Sequence, residues 1–102
     1  MGFVYLITSD YKNYKIGSTK RKVEDRIKEL QTACHEELQI VKSYETNNYI
    51  KVEKWLHRKF FSKKKEGEWF ELEDEEINLF EENCKNIDKT ISLLIETNPF
   101  FN

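Results

Sequence analysis

The sequence has little that would loosen or staple a chain: one proline, three glycines and two cysteines in 102 residues. Glycine occurs only at Gly2, Gly17 and Gly67, and proline only at Pro99, so no long flexible linker and no low-complexity tail is present. No apolar run approaches the roughly 20 residues that cross a bilayer. The first residues also lack the charged-then-apolar order of a secretory signal. These absences predict a soluble intracellular domain with no membrane partner, cytoplasmic or, for a viral protein, in the host nucleus or cytoplasm. Cys34 and Cys84 are far apart with no CxxC spacing, which suits two free, mostly buried thiols in a reducing compartment. A zinc set drawn from Cys34, His35, His57 and Cys84 lacks the paired ligand spacing of structural zinc sites.

What is present is aromatic and charged. Seven Phe, five Tyr and two Trp supply large burial areas, enough for one compact core at this length. The formal net charge of -2 conceals a split: residues 1–65 carry 15 Lys and Arg against 8 Asp and Glu, and residues 66–102 carry 2 against 11. A basic body with an acidic tail can present a polyanion site on one side; ordinary solvated faces give the same count.

"FVYLITS" (3–9) and "NYKIGS" (13–18) read as strands joined by the turn material "DYKN", a hairpin. A helix is predicted from about Val23 to His35, and a third strand over "LQIVKSYE" (38–45). Asn47 or Asn48 is suited to cap the next helix, about 49–62. "KKKEG" breaks that helix, and "EWFEL" (68–72) is a short extended segment. "EDEE" then loads acids onto the first turn of a last helix, where the macrodipole favours them. Ile77, Phe80, Cys84, Ile87, Ile91 and Leu94 form the apolar seam of that helix, packed on the domain's own core or against a second copy. Asn98-Pro99 ends it. The order predicts an α+β fold, a small, mainly antiparallel three-stranded sheet flanked by helices with an extra C-terminal helix.

Two charged residues sit where apolar ones belong. Arg26 lies on the stripe of Val23, Ile27, Leu30 and Cys34, and Glu53 lies beside Val52, one turn before Leu56 and His57. They either pair as a buried bridge, which gains little net stability, or have a task. In the hairpin, a three-residue loop at 9–11 would put Tyr5 opposite Lys15 on one face of the sheet. A cation in contact favours a phenolate, so Tyr5 is either a base or a tyrosine lying over a lysine at a sheet edge. Together the pieces suit phosphodiester cleavage: Glu53 for one Mg²⁺, Tyr5 for the proton of the attacking water, and Arg26 for the charge on the phosphate.

"FVYLI", then "YKIGST", then Arg26 nine residues after Gly17, then Glu53 on a following helix, resemble the GIY-YIG nuclease domain. The likeness is to the compact subgroup common in phages and large DNA viruses, where "KIG.T…R…LQT", "E…LH" and "GEWF" recur. It covers residues 2 to about 72. It implies a nuclease domain over residues 1–72, with residues 73–98 an amphipathic helix packed on that domain or used for dimerisation. It further implies Tyr5 as general base assisted by Lys15, Arg26 as phosphate stabiliser, Glu53 as metal ligand, and His57 as proton shuttle or phosphate contact. Gly17 and Trp69 would be structural, Trp69 packing behind the site. Phe3 stands in place of the first glycine, Lys15 in place of the second tyrosine, and Leu30 where many members carry histidine.

The expected activity is a Mg²⁺-dependent DNA endonuclease or nickase, with Mn²⁺ as substitute metal. The alternative is a non-catalytic DNA- or protein-binding module on the same fold. Lys20, Arg21, Lys22, Lys28, Lys54 and Arg58 are the candidate phosphate contacts. A pI of 5.8 and the absence of a separate recognition motif predict weak, salt-sensitive and nearly sequence-blind binding unless a partner or dimer supplies targeting. The chain is expected to be a monomer or a weak homodimer through the last helix.

Overall fold

"FVYLIT" is apolar on both of its sides, and the structure buries it on both. In a computed structural model, which describes residues 1–97, this segment lies in β1 (Gly2–Thr8), paired with β2 (Asn13–Thr19). There follow α1 (Val23–Gln31), β3 (Gln39–Thr46), α2 (Tyr49–Lys59), a 3-10 turn (Phe61–Lys63), β4 (Lys64–Glu66), β5 (Trp69–Glu71), α3 (Asp74–Asn78) and α4 (Phe80–Thr97). The strands form one antiparallel sheet in the order β3-β1-β2-β5-β4. The α+β class and the antiparallel sheet are as predicted. The sheet is wider by two short strands, because "KKE" and "WFE" fold back on each other and join β2. Gly67 turns that hairpin at φ +56°, a conformation glycine adopts without steric cost.

The first hairpin departs from the predicted register. Its loop is longer, so Tyr5 lies opposite Gly17, and Lys15 opposite Ile7. The Thr8 hydroxyl donates to the Asn13 carbonyl at 2.7 Å and accepts from the Tyr11 amide at 2.9 Å. Asp10 Oδ1 accepts from the Lys12 and Asn13 amides at 2.9 and 2.8 Å. Hydrogen bonds from the Asn13 and Lys12 backbone hold the Asp10 carboxyl below its ordinary pKa. The slip moves Tyr5's partner by two residues, an even number, so Tyr5 and Lys15 still share a face.

The two faces have separate cores. Val4, Leu6, Tyr14 and Ile16 point to one side, where Val52 and Leu56 of α2 and Phe80, Cys84 and Ile91 of α4 bury them. Tyr5 and Ile7 point to the other, beneath Val23 and the half-buried Ile27 and Leu30 of α1. Of the predicted seam, Ile77, Phe80, Cys84 and Ile91 are buried in the chain's own core and Ile87 packs against it. Helix α3 is set off from α4 by a break at Leu79, where one helix was expected. Its entry is acidic as predicted, and Glu76 Oε1 accepts from the Glu73 amide at 2.9 Å.

Side chains decided the helix ends that the pattern missed. Helix α1 stops at Gln31, short of His35, because the Gln31 amide staples the following loop. Its Nε2 donates to the Cys34 and Glu36 carbonyls at 3.2 and 2.8 Å, and its Oε1 accepts from the Leu38 amide at 2.8 Å. Helix α2 ends at Lys59, before the 3-10 turn. Asn48 is its N-cap residue but caps nothing with its side chain, which donates instead to Asp88 Oδ1 at 2.7 Å. The predicted stop at Asn98-Pro99 lies outside the described residues.

Candidate functional site

Lys15, Gly17, Glu53 and His57 lie along one edge of β2. Strand β5 pairs with β2 only from Asn13 to Lys15, and the Ile16 amide donates to the Glu68 carbonyl at 3.1 Å. Past Ile16 no strand among the described residues pairs with the outer edge of β2. The Ile16 carbonyl is met there by His57 Nε2 at 2.8 Å, and the His57 ring stands edge-on to Phe70 with centroids 5.0 Å apart. A carbonyl only accepts, so Nε2 is the protonated nitrogen. Any proton transfer by His57 is left to Nδ1.

Gly17, at this edge, lies beneath the Tyr5 ring. A methyl at Gly17 would overlap the Tyr5 hydroxyl and ring, with Cε1 the farthest of the three nearest atoms at 2.8 Å. Glycine is therefore required for space. Tyr5 is 1% exposed, packed among Ile7, Val23 and Leu38.

Glu53 approaches the same edge from α2. Both of its oxygens lie 3.3 Å from the Ser18 hydroxyl. Burial, followed by the charge of Glu68, holds the Glu53 carboxyl above its ordinary pKa, while His57, Ser18 and Lys15 pull the other way. Lys15 Nζ pairs with Glu68 at 3.0 Å, its side chain 16% exposed. Ser18 lies on one face of β2 and Gly17 and Lys15 on the other, so groups from the two faces meet only by wrapping around this edge.

Arg26 is not brought to Glu53. The helices α1 and α2 cover opposite faces, and Arg26 Nη1 lies 3.5 Å from Glu29. Among the described residues no ion pair joins Arg26 to Glu53, so the buried bridge is not formed. Arg21 also pairs with Glu29. Lys20, Arg21 and Lys22 follow directly on the open end of β2, and Lys54 and Arg58 flank Glu53 and His57 on α2. All five, and Lys28, are exposed. Trp69 is half-buried against the Tyr5 cluster.

Ser18 and Glu68 were missed as site residues. Ser18 was visible only as the residue after Gly17, and Glu68 only as part of "GEWF"; neither breaks a local pattern. The zinc set does not assemble, since Cys34 and Cys84 belong to the cores on opposite faces. No group of three or more His, Cys, Asp or Glu among the described residues is placed to hold a metal. The half-buried Glu53 carboxylate, which has no ion pair among the described residues, does fit one hard cation that keeps waters and takes its other ligands from a phosphate. No described helix is long and apolar enough to cross a membrane.

The profile of the T5orf172 domain matches residues 2–92. No curated protein and no solved structure gives a significant match. The chain belongs to the T5orf172 domain family.

Proposed function

We propose that this chain, a member of the T5orf172 domain family, is a phage-type, GIY-YIG-like DNA endonuclease dependent on a divalent metal. The observation that carries this reading is the edge of β2, where Tyr5 crosses Gly17 and the unpaired carboxylate of Glu53 meets Ser18. Glu53 would hold Mg²⁺, or Mn²⁺ in its place. Such an ion, when bound, neutralises charge on the leaving oxygen. Tyr5 would take the proton of the attacking water, with Lys15 on the same face of the sheet. Arg26 would leave Glu29 for the more negative phosphate of the transition state. His57 fixes the end of the paired region and presents Nδ1. The exposed lysines and arginines on either side of the edge would track the DNA backbone.

Supercoiled plasmid with Mg²⁺ tests the reading. Nicking that disappears in Glu53→Gln and in Tyr5→Phe is expected; nicking that survives Glu53→Gln refutes it. The ion pair of Arg26 with Glu29 favours a second reading, a module that binds DNA or protein without cleaving. DNA binding without nicking, unchanged by Glu53→Gln, would establish that one.

A further inference from the structure

We propose that Phe61, on the turn that follows α2, is a stacking platform for one unpaired base of a DNA strand whose phosphates meet Arg58, Lys59 and Lys64. At 70% exposure Phe61 is the most exposed large apolar side chain among the described residues. Its neighbour Phe60 is 6% exposed and belongs to the core around Leu56. The turn thus sends one ring inward and the next one out.

The outward ring stands on a fixed backbone. The Lys63 amide donates to the Phe60 carbonyl at 2.9 Å, and the Lys64 amide donates to the Phe61 carbonyl. A ring presented on an ordered turn has little main-chain freedom left to lose when a ligand stacks on it.

Charge selects what stacks there. Residues 58–65 read "RKFFSKKK", with five cations and no carboxylate. Lys63 is paired with Glu76 at 2.7 Å and Lys65 with Glu71 at 3.4 Å. Arg58, Lys59 and Lys64 are exposed, and among the described residues no ion pair holds them. Lys59 Nζ lies 6.0 Å from the Phe60 centroid, and Lys64 Nζ lies 6.0 Å from that of Phe61. An open aromatic ring bordered by free cations is what grips a single strand, since bases stack on the ring while phosphates meet the cations. A membrane surface would ask for a continuous apolar face, whereas Phe61 stands between the buried Phe60 and the exposed Ser62. Duplex bases are stacked on one another and out of reach, so the base on Phe61 is unpaired.

The turn continues α2, which carries Glu53 and His57. Glu53 and Phe61 are separated by roughly 12 Å along that axis at ~1.5 Å per residue. A strand gripped at the turn is then a short reach from the candidate site. That relation, and the choice of DNA over RNA, rest on the endonuclease reading.

The test is fluorescence anisotropy of two labelled decamers at low salt in EDTA, where cleavage plays no part. One is oligothymidylate, and the other has the same backbone with every site abasic. Expected is about tenfold tighter binding of the thymidine strand, the worth of one stacked base. Phe61→Leu should bring that ratio close to one while the abasic strand binds as it does to the parent, and Phe61→Trp should keep the ratio or raise it. The ring is exposed, so neither substitution disturbs the core. Equal affinities in the parent, or a preference that survives Phe61→Leu, overturn the proposal. An equal loss of duplex binding in Phe61→Leu would give the ring a contact other than stacking and overturn it too. Sedimentation with vesicles of phosphatidylcholine and phosphatidylserine that depends on Phe61, in place of strand binding, would assign the ring to an anionic membrane instead. Failure of plasmid nicking leaves these outcomes untouched, so the two ideas fail separately.

Discussion

Replacing Gly17 by alanine is the sharpest perturbation of the proposed site. The added methyl would stand 2.8 Å from Tyr5 Cε1 and closer still to two other atoms of the phenol. Carbon atoms rest at about 3.5–4.0 Å, so the ring must retreat by roughly an ångström. It has no room to do so: Tyr5 is 1% exposed, with Ile7 at 0%, Val23 at 4% and Leu38 at 8% around it. Overpacking of this kind costs about 1–3 kcal/mol. Alanine returns about 0.5–1 kcal/mol of the backbone entropy that a strand glycine loses, leaving a net loss near 1–2 kcal/mol. For a domain of this size each kcal/mol moves Tm by about 4–8 °C, so thermal unfolding should shift down by roughly 5–15 °C. In a Tyr5→Ala background the obstacle is gone and the same substitution should become neutral or stabilising. An unchanged Tm in the parent, or an equal loss in both backgrounds, refutes the argument that Gly17 exists to clear the Tyr5 ring.

Other expectations follow from single interactions. Glu53 has its pKa raised on folding, so the native state holds that proton more tightly than the unfolded chain. The associated stability is complete below the unfolded carboxyl range and is lost as pH rises through the native value. Glu53→Gln should therefore unfold at a higher temperature than the parent at neutral pH and at the same temperature in acid; a lower Tm at neutral pH contradicts this. Tyr44 donates to Asp88 at 3.0 Å and its phenol is pushed up to about 12, first by burial and then by that bond. With an unfolded phenol near pH ~10, stability should fall as pH climbs from there through about 12, and Tyr44→Phe should flatten that limb in denaturant melts. Gln31→Leu removes three bonds to the 34–38 loop, and the Leu38 amide should lose its hydrogen-exchange protection while the sheet amides keep theirs. A chain ending at Leu72 loses Phe80, Cys84 and Ile91, which are 2%, 0% and 0% exposed. Circular dichroism should find it unfolded, and a cooperative melt would show that α4 is dispensable.

The order of the first five elements, the antiparallel sheet and the odd residues Arg26 and Glu53 were legible in the sequence, because they rest on local periodicity. A strand needs only alternation or an apolar run, and a helix only a stripe, so "FVYLIT" and "YIKVEKWLHRK" declare themselves. That Tyr5 and Lys15 share a face was also readable, since an even slip in register preserves sidedness. Tertiary structure decided where those faces meet. The Thr8 and Asp10 hydrogen bonds lengthened the hairpin loop, and the Gln31 amide ended α1 early; both are contacts between specific atoms that no pattern encodes. Arg26 and Glu53, each equally out of place on its own helix, went to opposite faces, because α1 packs over Ile7 and α2 over Leu6. The short reach of β5 then left an edge of β2 open past Ile16. Periodicity tells a residue which side of its own element it occupies, whereas a site is a place where several elements end together, and that depends on lengths and registers summed across the whole sheet.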